Sequence, residues 1–311
     1  MSLLRRTTAR LILWLLSSLM CYLAPLHARA DDALVVLSDF SPSYNQVLTA
    51  IRKYAASPPR MVTLDQLRTD DSQTPIILAV GTRACERMLS RYHPDSQLVC
   101  TFLPSATFRR LKRELLPQNS HAAVSAVFID QPLARQVRLA RLIAPDAHIL
   151  GSALGNNNLD IRDELKQSAQ AEAFDLLLVE LAQRDNPVER LTPVIEGCDL
   201  FLVIPDSSVF NRAISKWLLY LSLRHKVPVI GFSTSYTNAG ATASVHSSAE
   251  QIGRQTAEWL NRLQQGSALP AASYPYYFDV SVNPIAVRTL DIEPLSAETL
   301  QKKLAQAEAG R

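Results

Sequence analysis

The chain has 311 residues, more than one hydrophobic core usually serves, so two lobes are expected. Its 47% hydrophobic and 20% charged residues exclude a low-complexity or disordered chain. A formal charge of only +3 gives no sign of the basic face that nucleic acid demands.

Arg5, Arg6 and Arg10 precede an apolar segment, 11–26, and then His27-Ala28-Arg29-Ala30, with small residues where a signal peptidase cuts. Residues 1–30 read as a cleavable secretory signal, the alternative being a retained anchor. The expected mature chain starts near Asp31 and is exported. Removing Arg5, Arg6, Arg10 and Arg29 changes the net charge from +3 to −1. Nothing later in the chain is long and apolar enough to span a bilayer.

From residue 33 onward, short apolar runs alternate with amphipathic helical patterns. Strands are expected at 33–40, 75–81, 97–103 and 122–129, with helices between them, the first over 44–56. Cys85 falls on the helix and Cys100 on the strand that follows it. In an oxidising compartment the two either form a disulfide or remain, with Cys198, buried thiols. Asp130 is placed to cap a helix carrying Pro132 in its first turn, and Arg135, Arg138 and Arg141 read as its solvated stripe.

The alternation continues with strands at 148–154, 174–181, 199–205 and 227–233. The helix 211–226 is apolar almost all round, which predicts heavy burial. Ser248 and Gln251 form a capping box before a helix over 249–265. A proline-containing connector, "YYFDVSVN" (276–283) and a C-terminal helical pattern follow. Runs apolar on both faces fit parallel strands covered by helices on both sides. The expected fold is α/β: two doubly wound parallel-sheet lobes joined by a hinge. Lobe 1 is expected over 31–125 plus 241–268, and lobe 2 over 126–240 plus 269–311.

Open parallel sheets bind ligands beyond the carboxyl ends of their strands. At those ends stand Ser38, Asp39 and Phe40; Gly81 and Thr82; Asn156, Asn157 and Asn158; Asp206, Ser207 and Ser208; and Ser233, Thr234, Ser235 and Tyr236. Each cluster alone reads as a helix cap. Five of them on matching edges read as a polar cleft, with helix N-terminal amides free to receive an anion or carboxylate. Phe40, Tyr44 and Tyr236 are candidates to cover an apolar part of a ligand.

The segments "TPIILAVGTRA", "AVFIDQPLARQVRLARLIAPDAHILGSALGNNN", "CDLFLVIPDSSVFNRAISKWL", "VPVIGFSTSYTNAGATASV", "SSAEQIGRQTAEWLNRLQQG" and "YPYYFDVSVNPIAVRTL" occur in this order. Together, over about 33–292, they resemble the ABC-transporter substrate-binding protein family, which has the type I periplasmic-binding fold. The resemblance implies that Asp206, Ser207, Ser208, Ser233, Thr234, Ser235 and Asn156 to Asn158 line a cleft between lobes, with Gly81 and Thr82 at the first lobe's turn. It implies a monomeric binder, without cofactor or metal, that captures a small polar ligand such as an amino acid and meets a membrane permease. The alternative is an envelope interaction module of the same fold, serving a membrane sensor and carrying no transported solute. No nucleophile elbow, P-loop, dinucleotide fingerprint or HExxH motif occurs, so no enzyme is expected. Replacing Asp206 should then weaken ligand binding and leave the fold intact.

Overall fold

The computed structural model describes residues 33–117, 121–206, 208–293 and 296–310. The signal segment and Ser207 lie outside the described residues. Two sheets are present among the described residues. The first contains β1 (Ala33–Leu37), β2 (Arg60–Thr63), β3 (Ile76–Val80), β4 (Gln97–Leu103) and β5 (Val124–Phe128) in the order β2-β1-β3-β4-β5, all parallel. The second contains β6 (Ile149–Gly155), β7 (Asp175–Leu181), β8 (Leu200–Leu202), β9 (Val229–Gly231), β10 (Ala243–His246) and β11 (Asp279–Val282) in the order β11-β10-β9-β8-β6-β7. Among the described strands, only β11 runs antiparallel to its neighbour.

The period of two explains both cores. Along β1, Leu34 and Val36 face one apolar layer while Ala33, Val35 and Leu37 face the other. In register, Val35 lies beside Leu78 of β3, which lies beside Val99 of β4. Helix α1 (Pro42–Tyr54) covers one face, and α2 (Thr82–Leu89) and α3 (Ser105–Leu115) cover the other. The second sheet is covered by α4 (Leu133–Ile143), α5 (Arg162–Ala171), α6 (Pro187–Gly197), α7 (Arg212–Arg224) and α8 (Thr234–Asn238). Helix α9 (Ala249–Gln264) returns to the first sheet, where Trp259, Leu260 and Leu263 enter its core. After β11 come α10 (Pro284–Thr289) and α11 (Ala297–Ala309), and Leu300 and Leu304 pack in the second lobe. No helix among the described residues is long and apolar enough to cross a membrane.

Two strands lie across the expected lobe boundaries. β5 stays hydrogen-bonded to β4 as far as Phe128, so the first crossing falls after it rather than at 125/126. β10, inside the 241–268 segment expected in the first lobe, pairs with β9 and β11 in the second sheet. β10 is short and bears polar Ser244 and His246, so it lacks the all-apolar signature of its neighbours. The short strand β2, "RMVT", starts on an exposed arginine and escapes the pattern for the same reason.

The three chain crossings are tied together. Gln131 donates Nε2 to Ser247 Oγ at 2.8 Å, and Ser247 Oγ donates to the Tyr277 carbonyl at 2.6 Å. These residues come from the first, second and third crossings. The connector also lends Ser273 to the edge of β5.

Several side chains depart from the sequence reading. Asp130 does not cap α4, whose N-cap is Pro132. It accepts instead from the backbone N–H and the hydroxyl of Ser105, so it caps α3 of the first lobe across the chain crossing. Burial pushes its carboxyl above the usual range, against the lowering effect of those bonds. The arginine stripe of α4 is not a solvated face. Arg138 pairs with Glu172, and Arg141 donates to the carbonyls of Glu172 and Ala147 while lying 3.8 Å from the Phe174 ring centre. Arg135 is buried against α11.

Cys85 and Cys100 form a disulfide that pins α2 to β4, with Cα atoms 5.3 Å apart. The bridge closes a loop with a sequence separation of 15, for which loop-closure entropy predicts about 3 kcal/mol of stabilisation. The double variant Cys85→Ala/Cys100→Ala should therefore lose about 3 kcal/mol in denaturant unfolding. Equal midpoints with and without reductant in the wild type would contradict this. Cys198 is a buried free thiol that burial pushes up to about 12, so it stays protonated and inert.

Candidate functional site

The carboxyl edges of the two sheets face each other. α3 follows β4 in the first lobe, and the 159–161 turn follows β6 in the second. Arg109 of α3 donates Nε to Asp160 Oδ2 at 2.9 Å, closing an ion pair between the lobes. Asp130, Glu164 and Tyr274 contribute to the field around this bridge.

On the first-lobe edge, Ser38 does the capping. Its buried hydroxyl donates to the Val80 carbonyl and accepts from the Ala84 N–H, both at 2.9 Å, and so fixes the start of α2. Gly81, at φ +87°, lies under the Tyr44 ring, where an added Cβ would fall 2.6 Å from the ring carbon Cζ. Only glycine allows that conformation and that approach together. Thr82 is half-buried at the first position of α2. Asp39 turns back to accept from the Ser41 N–H at 2.8 Å. Phe40 is 61% exposed, a large apolar group left uncovered at the lip. Burial and the nearby Asp39 charge raise the Tyr44 phenol above its ordinary value, against a lowering hydrogen bond from Ser38.

On the second-lobe edge, Asp206 organises the turns. It is 5% exposed. Its Oδ1 accepts from Asn157 Nδ2 at 2.9 Å, the Ser208 N–H at 2.9 Å and Ser208 Oγ at 2.6 Å. Its Oδ2 accepts from Asn158 Nδ2 at 3.2 Å, and Asn158 also donates to the Pro205 carbonyl. The carboxylate therefore joins the loop after β6 to the loop after β8. Gly155 leaves room for this joint, since a Cβ there would collide with Ser208 Oγ. Asn156 and Ser208 remain exposed at the rim.

Ser233 caps α8 by accepting from the Tyr236 N–H at 3.1 Å. Ser235 is exposed beside it. Tyr236 is not a lip residue: its ring sits in the second sheet's core, 5.0 Å from that of Phe232. Thr234 meets residues that the sequence reading left out. Its hydroxyl lies 2.8 Å from His246 Nε2, which lies 2.8 Å from Ser281 Oγ. Burial holds this imidazole below its ordinary value, against a raising effect of Asp279. His246 stands at the carboxyl end of β10, so recognising that strand would have brought it to notice.

Phe102 is the other residue missed. It sits at the carboxyl end of β4 with φ +60°, a conformation uncommon for so bulky a side chain. The register of β4 against β5 shifts there, between Thr101 and Leu103. The shift turns the Phe102 ring edge-on to Tyr44 at 6.0 Å. Phe40, Tyr44 and Phe102 thus make the first-lobe edge aromatic, while hydroxyls, amides and His246 make the second-lobe edge polar. A groove of about 320 Å³ lies beside the third crossing, lined by Pro132, Arg135, Tyr274, Tyr276, Leu304 and Glu308.

No curated protein matches the sequence. Among solved structures, the chain is similar to the ligand-free, open form of a substrate binding protein with adhesive properties from Clostridium difficile. That match has a TM-score of 0.65 and 15% identity, over 86% of this chain and 97% of the other. An ABC domain from Streptococcus pneumonia, solved in complex with L-Trp, matches at TM-score 0.56 and 15% identity, over 87% and 98% of the two chains. A conserved domain protein from Vibrio cholerae matches at TM-score 0.56 and 18% identity, over 85% and 96%. At these identities the likeness is one of fold: two α/β lobes of the periplasmic-binding type. The model of the family described as ABC transporter substrate binding protein matches residues 66–305. That match spans both sheets from β3 to α11, and the chain belongs to the ABC transporter substrate-binding protein family.

Proposed function

We propose that this protein is the periplasmic solute-binding component of an ABC transporter and closes its two lobes over a small ligand of the amino-acid class. The observation that carries the reading is the asymmetry of the two facing edges. Phe40, Tyr44 and Phe102 offer ring surface from one lobe. Asn156, Ser208, Thr234 and Ser235 offer amides and hydroxyls from the other. A ligand with one apolar part and one ionic or polar end satisfies both. The L-Trp carried by the Streptococcus neighbour belongs to that chemical class. Closure requires the ligand to contact both edges at once, because only differential binding shifts the open–closed balance. On this reading residues 1–30 direct export and are removed, and a monomer delivers its ligand to a membrane permease.

A thermal-shift screen of residues 31–311 against amino acids, sugars, peptides, nucleosides and oxoanions tests the proposal. An amino acid at a hundred times its Kd should add about 2.7 kcal/mol to the folded state and raise the Tm in a concentration-dependent way. A shift with sugars alone would overturn the ligand class. A folded protein with no shift in any class would favour the interaction module that serves a membrane sensor.

A further inference from the structure

The helix α7 should be buried by its composition, and it is not. Only Leu218, Leu219 and Ser222 are buried. Tyr220 is 65% exposed, Leu223 is 45% exposed, and Trp217 is half-buried beside them. Interleaved with these on the outer face are Arg212, Lys216 and Arg224, all exposed. None of the three forms an ion pair among the described residues. Lys226, just beyond the helix, approaches only the highly exposed Asp291, at 3.9 Å. His225 lies 3.8 Å from Glu196 of α6. The sequence from residue 207 to 249 contains no Asp or Glu at all. A chain with a near-neutral mature charge thus concentrates unpaired cations around exposed Tyr and Leu on one helix.

We propose that this face of α7 docks on an anionic phospholipid surface. Lysine and arginine are drawn to the negative potential of acidic headgroups, and an aromatic ring with a polar tip suits the headgroup boundary. Tyr220 and Leu223 would enter that boundary while Arg212, Lys216 and Arg224 lie among the phosphates. An acidic protein partner would also meet the three cations, and it is the outcome indicated if the anionic vesicles fail to carry the protein. Tyr220, Leu223 and Arg224 lie in the last turns of α7, at the end away from the strand carboxyl ends where the helix begins. The inference stands without the proposed ligand.

The test is flotation of residues 31–311 with vesicles of phosphatidylcholine alone and of phosphatidylcholine containing phosphatidylglycerol. Binding is expected only to the anionic vesicles and should disappear at high salt, as charges beyond a Debye length are screened. Each of Lys216→Gln and Arg224→Gln should lower the partition coefficient about fivefold. Tyr220→Ser/Leu223→Ser should lower it further at constant charge. Lys166→Gln, at an exposed position of α5, removes one charge elsewhere and should leave binding unchanged. All these positions are exposed, so circular dichroism and Tm should match the wild type. No flotation with the anionic vesicles, or equal loss in Lys166→Gln, would overturn the proposal. So would binding that survives the α7 variants.

Discussion

Asp206→Ala is expected to lose about 3 kcal/mol of stability and to abolish ligand-induced stabilisation. The sequence alone led to the milder expectation of lost binding in an intact fold. The structure changes it, because the carboxylate is buried and receives four donors from two loops. Hydrogen bonds to a charged acceptor contribute about 1.5–3 kcal/mol each when fully desolvated. Asn157 and Ser208 are exposed and can turn to water, which discounts their share. Asn158 is buried, and its side-chain amide keeps the bond to the Pro205 carbonyl. Removing the carboxylate also opens space above Gly155, so the loops after β6 and β8 lose their common anchor. Asp206→Asn preserves volume but sets an amide N–H₂ against amide and hydroxyl donors, and should fall nearly as far. Urea unfolding gives the stability change directly. Wild-type stability in Asp206→Ala would mean that the carboxylate does not hold these turns, and retained ligand shifts would remove it from the site as well.

Arg135→Ala should unfold about 4 kcal/mol more easily than the wild type. Its guanidinium makes two bonds to the Glu308 carboxylate, at 2.6 and 2.7 Å. It also donates to Gln131 Oε1 at 2.6 Å and to the Pro275 carbonyl at 3.0 Å, and lies 4.0 Å from the Phe278 ring centre. One side chain therefore joins the first crossing, the third crossing and α11. Its own side chain is 5% exposed while that of Glu308 is 39% exposed. The loss in Arg135→Ala is thus mostly lost packing and unpaired buried acceptors. Glu308→Gln should cost less, about 2 kcal/mol, since water reaches that carboxylate and the amide oxygen still accepts one bond. Arg135→Lys should not rescue, because an ammonium cannot reproduce the planar fork. Hydrogen exchange should accelerate first over α11 in all three variants. Unchanged exchange there in Arg135→Ala would refute the pinning.

The architecture was legible in the sequence because burial on both faces of a parallel strand writes an unbroken apolar run. β1, β3, β4 and β6 carry such runs and occupy the expected places. Polar residues at strand ends were legible for a related reason: a strand that leaves the core must meet solvent, a cap or a ligand. Identity and spacing alone could not say which of these each residue meets. Asp206 proves to be a joint between loops, and Tyr236 a core ring. His246 and Phe102 reach the edge through a short strand and a register shift that leave no periodic trace.

The same limit governs the helices. Periodicity assigns residues to faces, but a face is buried only where another element covers it. The arginines of α4 looked solvated until α11 and the 172–174 turn lay over them. The apolar face of α7 looked buried, yet no described element covers Tyr220 or Leu223. Asp130, written beside Pro132, caps a helix 25 residues earlier because the chain crossing brings it there. Local sequence determined which segments form strands and helices and where the chain turns. Only tertiary packing decided which charges are paired, which rings are covered and which strand-end groups remain free, since each depends on neighbours distant in sequence.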